Sequence, residues 1–193
     1  MSQVGFADLR IHQQILAGAP ADVFASASTV DMDAVVGGGD VVAAPRAFAR
    51  NQLRIVVPAE NPGAVTRLED LADPSLLIGL PAPEATSGRY AAEALALAGV
   101  VPSVDSYEPD VRALLTKVAT GELDAGIVFA TDVAAAAGAV LGIDIPSAFQ
   151  VEATYPIAVL ASSPHPDTAA DFVAFVLSPP GQAVLATHGF LAP

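Results

Sequence analysis

Few residues in this chain are of a type that could do chemistry. Three histidines, His12, His165 and His188, could act as bases, and Ser87 in Thr86-Ser87-Gly88 could act as a nucleophile. That serine is not framed by the Gly-x-Ser-x-Gly turn that presents a nucleophile at a strand–helix junction. His165 lies between two prolines and His188 near the C-terminus, so both read as surface or capping residues, and His12 is read the same way. No two histidines have the i, i+4 spacing of a zinc site, and no Gly-x-Gly-x-x-Gly or Walker loop is present. The acids are spread singly, as on a solvated face, rather than paired for acid–base work. The chain reads as a binder, not an enzyme.

The residue patterns suit anion binding better. Pro83-Glu84-Ala85-Thr86-Ser87-Gly88-Arg89-Tyr90 places Ser87 as an N-cap, with Thr86 before it and Gly88 letting the backbone approach a ligand closely. Free N–H groups and the positive end of a helix dipole make a seat for an anion. Glu108-Pro109-Asp110-Val111-Arg112 is a second helix start, with Pro109 at the first position and the N–H of Val111 left without an intrahelical partner. The third is Gly126-Ile127-Val128-Phe129-Ala130-Thr131-Asp132, where Thr131 caps a short Ala-rich helix and Phe129 stands at the strand end. Ordinary capping accounts for the first two as well. A core aromatic accounts equally for Phe129.

The elements that position these junctions are strands at residues 21–25, 53–57, 76–80, 125–129 and 156–161. They are runs rich in Val, Ile and Leu without alternation, as expected for strands buried on both faces of a mainly parallel sheet. Helical stripes fall at 11–17, 87–98, 109–120, 168–177 and 182–187. Strand and helix in alternation define an α/β fold, in which ligands bind at the carboxyl ends of strands.

Composition sets the outer limits. In 193 residues, 53% are hydrophobic and 15% charged, which fills a core and excludes a disordered chain. Eight basic against 21 acidic residues give a net charge of −13, which excludes a nucleic-acid backbone or an anionic membrane as partner. There is no cysteine, so thiolate metal sites and disulfides are excluded. No apolar run reaches the roughly 18 residues that span a bilayer, so no membrane insertion is expected, and no leader opens the sequence.

From Gln14 onward the chain resembles the solute-binding proteins of molybdate ABC transporters. The resemblance is carried by Ala17-Gly18-Ala19-Pro20-Ala21-Asp22-Val23-Phe24 and by Leu53-Arg54-Ile55-Val56-Val57-Pro58. Ser87-Gly88-Arg89-Tyr90, Asp110-Val111-Arg112 and Gly126-Ile127-Val128-Phe129-Ala130-Thr131-Asp132 follow in family order, then Tyr155-Pro156-Ile157 and Gly189-Phe190. It implies a two-lobed α/β fold of the type II periplasmic-binding-protein kind, with the ligand shut between the lobes. Lobe one would be 1–57 plus 155–193, and lobe two 58–154. It implies a molybdate or tungstate oxyanion held by neutral donors, no metal or other cofactor, an ABC transporter permease as partner and a periplasmic location. The backbone N–H groups of Ser87 and Val111 would be two of the donors, with Thr86, Gly88 and Phe129 around them.

The departures from the family bear on affinity. The family's first strand, its Ala-Ala-Ser-Leu loop and the following helix have no counterpart, so the fold is expected to be N-terminally incomplete. Phe6-Ala7-Asp8 stands where the family has a Ser turn, which puts the Asp8 carboxylate at a donor position. Phe129 replaces a tyrosine of the family, removing a hydroxyl. Three donors lost, at roughly 1.5–3 kcal/mol each, imply impaired affinity. The alternatives are a truncated or divergent member that binds no oxyanion, or the ligand-sensing domain of a transcription regulator, though no basic recognition helix is present.

Overall fold

The computed structural model describes the chain from Leu9 to Pro193, with side chains from Ile11. The expectation for Asp8 therefore lies outside the described residues. The chain divides into two compact units, Met1–Arg50 with Ala153–Pro193, and Asn51–Glu152.

In the first unit, helix α1 (Leu9–Leu16) leads to strand β1 (Val23–Ala25) and helix α2 (Thr29–Gly37). Strand β2 (Arg46–Pro58) begins here, and the chain returns through strand β7 (Glu152–Val159) into helices α6 (Pro166–Leu177) and α7 (Pro179–Thr187). β1 and β7 are antiparallel, with Val23 opposite Val159 and Ala25 opposite Ile157. Ile15, Phe24, Met32, Val35, Ala158 and Leu160 form the core beneath them. Helix α2 starts where it does because Ser28 accepts the N–H of Val30.

In the second unit, strands β3 (Ile78–Pro81), β4 (Val104–Glu108), β5 (Ala125–Phe129) and β6 (Val140–Asp144) join the second half of β2. β3 is parallel to both β4 and β5. β2 runs antiparallel to β5 and to β6. The parallel set is thus β3, β4 and β5, and the sheet as a whole is mixed. The apolar runs reported burial on both faces, and a central antiparallel strand such as β2 has that too. The change of unit falls at Arg50/Asn51 and Glu152/Ala153, earlier on the chain than the sequence suggested, because residues 53–58 of β2 pair with β5 and β6.

Helices α3 (Thr86–Ala98), α4 (Val111–Ala119) and α5 (Ala130–Ala135) follow β3, β4 and β5. Leu114 and Val118 of α4 pack with Val56, Leu123, Val128 and Val140. Two glycines let α4 lie this close: a Cβ on Gly126 would come within 3.0 Å of Leu114, and one on Gly79 within 2.8 Å. The sequence reading did not anticipate β4, β6 or α2. β4 reads Val-Asp-Ser-Tyr-Glu, a short strand of mixed polarity with no apolar run to mark it.

Candidate functional site

Because β3, β4 and β5 are parallel, their carboxyl ends lie at one edge of the second unit's sheet, and α3, α4 and α5 all begin there. The two longer helices are tied together directly. The N–H of Ala82, just past β3, donates to the carbonyl of Glu108 at the end of β4, at 2.8 Å. Tyr90 in the first turns of α3 meets Phe129 at the end of β5, with ring centroids 6.0 Å apart and an interplanar angle of 69°. Thr86, Ser87, Gly88, Val111 and Phe129 are therefore neighbours along one edge.

Their local roles differ from the sequence reading in several respects. Ser87 is not the N-cap of α3; Ala85 is, and it has no side chain to cap with. Ser87 stands inside the first turn and is buried. Gly88 also has a packing role that the sequence does not reveal. A Cβ there would stand 2.1 Å from the carbonyl oxygen of Ala82, so the missing side chain lets α3 pack on the chain's own strand end. Thr86 Oγ1 accepts from the Arg89 guanidinium at 3.3 Å.

Helix α4 begins at Val111, not at Pro109. Asp110 is its N-cap, taking the N–H groups of Arg112 and Ala113 at 2.9 Å each. Among the described residues no acceptor takes the N–H of Val111. Phe129 is only 7% exposed and is the residue before α5; its N–H donates to Asp132 Oδ2 at 3.0 Å. Thr131 is not a cap: it lies within α5, and its Oγ1 accepts from Asn51 Nδ2 at 2.9 Å.

Two carboxylates behind this edge are perturbed in opposite directions. Glu108 is buried and accepts from Lys117 Nζ and Ser106 Oγ. The bond from Lys117, then that from Ser106, hold it below the ordinary glutamate range. Asp132 is pushed up to about 6 by burial, partly offset by the Phe129 N–H. The self-capping by Asp110 and Asp132 was missed as a pair. Its signal, an acid immediately before or within the first turn, was present at both junctions.

The histidines take no part here. His12 is half-buried on α1 with Nδ1 3.4 Å from Asp31 Oδ1, a packing position and not the surface one expected. His165 precedes α6 and His188 ends α7, both exposed. No single helix among the described residues is long and apolar enough to cross a membrane.

Parallel strands with helix N-termini gathered at their carboxyl ends are the layout of α/β proteins that bind ligands at that edge. The chain belongs to the bacterial extracellular solute-binding protein family, whose profile matches residues 8–191. Proteins of this family bind and hand over solutes for transport; they are not enzymes. The molybdate-binding protein ModA of Mycobacterium tuberculosis is 36% identical over 180 residues, covering 93% of this chain and 69% of ModA. The substrate-binding domain of a putative molybdenum ABC transporter from Clostridium difficile superposes with TM-score 0.77 at 25% identity, covering 95% of this chain and 82% of that one. The periplasmic molybdate-binding protein of Azotobacter vinelandii has the same fold, with TM-score 0.79 at 20% identity and coverage of 95% and 83%.

Proposed function

We propose that the chain captures a small tetrahedral oxyanion, molybdate or tungstate, outside the cytoplasm and delivers it to the permease of an ABC importer. The observation that carries this is the gathering of three helix starts at one sheet edge, with the first turn of α3 uncapped. The identity with ModA supports molybdate as the ligand. The donors would be the backbone N–H groups of Ser87 and Val111, with Thr86, Gly88 and Phe129 around them. Oriented dipoles attract an anion without a formal counter-charge, which suits a chain of net charge −13. No cofactor enters this scheme. The two units would be the two lobes of the family.

Affinity in this chain would be low. Phe129 has no hydroxyl to donate, and the carboxylates of Asp110 and Asp132 repel a dianion at the same edge. These features also favour a second reading, a family member that binds no oxyanion. Titration calorimetry with molybdate, tungstate and sulfate separates the two. Saturable one-to-one heat with a dissociation constant above the micromolar range is the expected result. Submicromolar binding would overturn the donor assignment, and silence with all three anions would establish the second reading.

A further inference from the structure

Strand β4 in the second unit and strand β1 in the first are each paired along one side only, to β3 and to β7. Their free edges differ. β4 carries the exposed Asp105 carboxylate, and its ladder skips that residue: Val104 stands opposite Ile78 and Ser106 opposite Gly79. Pro109 follows directly after its last residue. A charge, a bulge and a proline are the devices that keep an edge from pairing with another chain. β1 has none of them. Its register with β7 is unbroken, and residues 23–30, Val-Phe-Ala-Ser-Ala-Ser-Thr-Val, contain no charge and no proline. The acids on either side are engaged: Asp22 Oδ1 accepts from Ser163 Oγ at 2.6 Å, and Asp31 is buried beside His12.

The direction of the peptide groups shows what β1 offers. The N–H of Ser26 donates to the carbonyl of Pro156 at 2.9 Å, and that of Leu160 to the carbonyl of Asp22 at 3.0 Å. Peptide groups alternate in direction along a strand, so Asp22, Phe24 and Ser26 turn theirs to β7, and Val23 and Ala25 turn theirs away. Among the described residues nothing takes the N–H and C=O groups of Val23 and Ala25. Both residues are half-buried, so the edge is within reach of another strand. A second copy of β1 satisfies all four groups. Set antiparallel about a two-fold axis at Phe24, Val23 of one copy faces Ala25 of the other, and each such pair exchanges hydrogen bonds in both directions. The two Asp22 side chains then lie at opposite ends of the ladder. Charge favours the same face. Residues 9–50 and 153–193 carry three basic and six acidic side chains, against five and fourteen in residues 51–152. Two copies of a chain of net charge −13 repel least where first unit meets first unit.

We propose that the β1 edge is a self-association surface, at which two copies of the chain pair Val23–Ala25 antiparallel and join their first-unit sheets into one. The partner is a second copy of this chain because the edge is complementary to itself. A ladder of three residues is a small contact, so the dimer is weak and in exchange with monomer. The inference does not depend on the ligand.

The test is sedimentation velocity of the whole chain from micromolar to submillimolar concentration, with amide hydrogen exchange on the same samples. The weight-average mass should rise toward twice that of the monomer. Exchange at Val23 and Ala25 should slow several-fold over the same range, while Phe24, which is paired to β7, should not follow concentration. Ala25→Pro removes an outward N–H at an edge position, where proline is tolerated, and should hold the chain monomeric with an unaltered far-UV spectrum. Should the proline variant lose its fold, Val23→Lys puts a charge on the same edge strand and carries the same expectation. A chain that stays monomeric throughout overturns the proposal. So does association in which Val23 and Ala25 exchange as fast as in dilute solution, or which persists unchanged in the folded variants. Slow exchange at both residues at every concentration would show the edge covered within a single chain, and overturns it equally.

Discussion

The N–H of Ala82 donates to the carbonyl of Glu108 at 2.8 Å, which couples the start of α3 to the start of α4 through one backbone bond. Ala82 is also the residue on which α3 packs through Gly88, and Glu108 is the residue that Lys117 of α4 holds from behind. The edge is therefore a connected piece of backbone, and its stability can be probed from either side.

From the α3 side, Gly88→Ala would place a Cβ 2.1 Å from the Ala82 oxygen and 2.9 Å from the Pro81 oxygen. Both are backbone atoms and cannot rotate away. The variant should lose about 1–3 kcal/mol of unfolding free energy, the usual cost of overpacking, despite the better helix propensity of alanine. Urea unfolding of the two chains measures it; equal midpoints would show that the α3 junction gives more freely than this geometry allows.

From the α4 side, Lys117→Met would leave the Glu108 carboxylate buried with only Ser106 as partner. Lys117 is 37% exposed, so the cost should fall below that of a fully buried pair, at about 1–3 kcal/mol. The pair also sets an acid limit. Glu108 is held below its ordinary range in the folded chain, so its contribution is present above about pH 4.5 and is lost as pH falls through its folded value. Lys117→Met should flatten that acid loss, which denaturation across pH 3–6 would follow.

How much of this was legible beforehand varies with the signal each residue carries. The apolar strand 125–129 and the stripe of Leu114 and Val118 declare themselves through hydrophobic period, and both elements are where the pattern puts them. The helix starts were found as regions but not to the residue. Pro109 looks like a first helical residue and Ser87 like a cap, yet α4 begins at Val111 with Asp110 as its N-cap, and Ala85 is the N-cap of α3. Caps depend on where the preceding strand releases the chain, and that is a tertiary property. Gly88 carries a signal of close approach, and the sequence does not say that the Ala82 carbonyl is one of the groups approached. The Glu108–Lys117 pair joins residues nine apart on different elements, and no local pattern marks it.

Asp132 predicts a pH effect of the opposite sign. Its folded value, about 6, is above the 3.8 of an ordinary aspartate. The folded chain therefore binds more protons than the unfolded chain between those values, and stability falls as pH rises through that window. Above pH 6 the buried charge is a standing cost on the order of 1–3 kcal/mol. Asp132→Asn keeps an acceptor for the Phe129 N–H and removes the charge. It should be more stable than the parent at pH 7.5, with the gap closing as pH falls toward 4. A gap that stays constant across that range would show that the effect is not the titration of Asp132.

Phe129 offers the most direct test of ligand affinity at this edge. The ring is 7% exposed and meets Tyr90 edge-on, so it is anchored by the core while standing at the carboxyl end of β5. Phe129→Tyr adds one hydroxyl to an aromatic whose position is already fixed, so little ordering is lost when it donates. One added hydrogen bond to a charged oxyanion is worth about 1.5–3 kcal/mol, or roughly a tenfold to hundredfold gain in affinity for molybdate. An added hydroxyl at this 7%-exposed position must also be desolvated, and one left without a partner costs about 1–3 kcal/mol. The variant should therefore be less stable than the parent without ligand and bind molybdate more tightly. Thermal unfolding with and without molybdate reads both effects in one experiment: a lower melting temperature alone, and a larger upward shift with the anion. If the anion shifts both chains equally, the Phe129 position does not face the ligand, and the anion seat is confined to the first turns of α3 and α4.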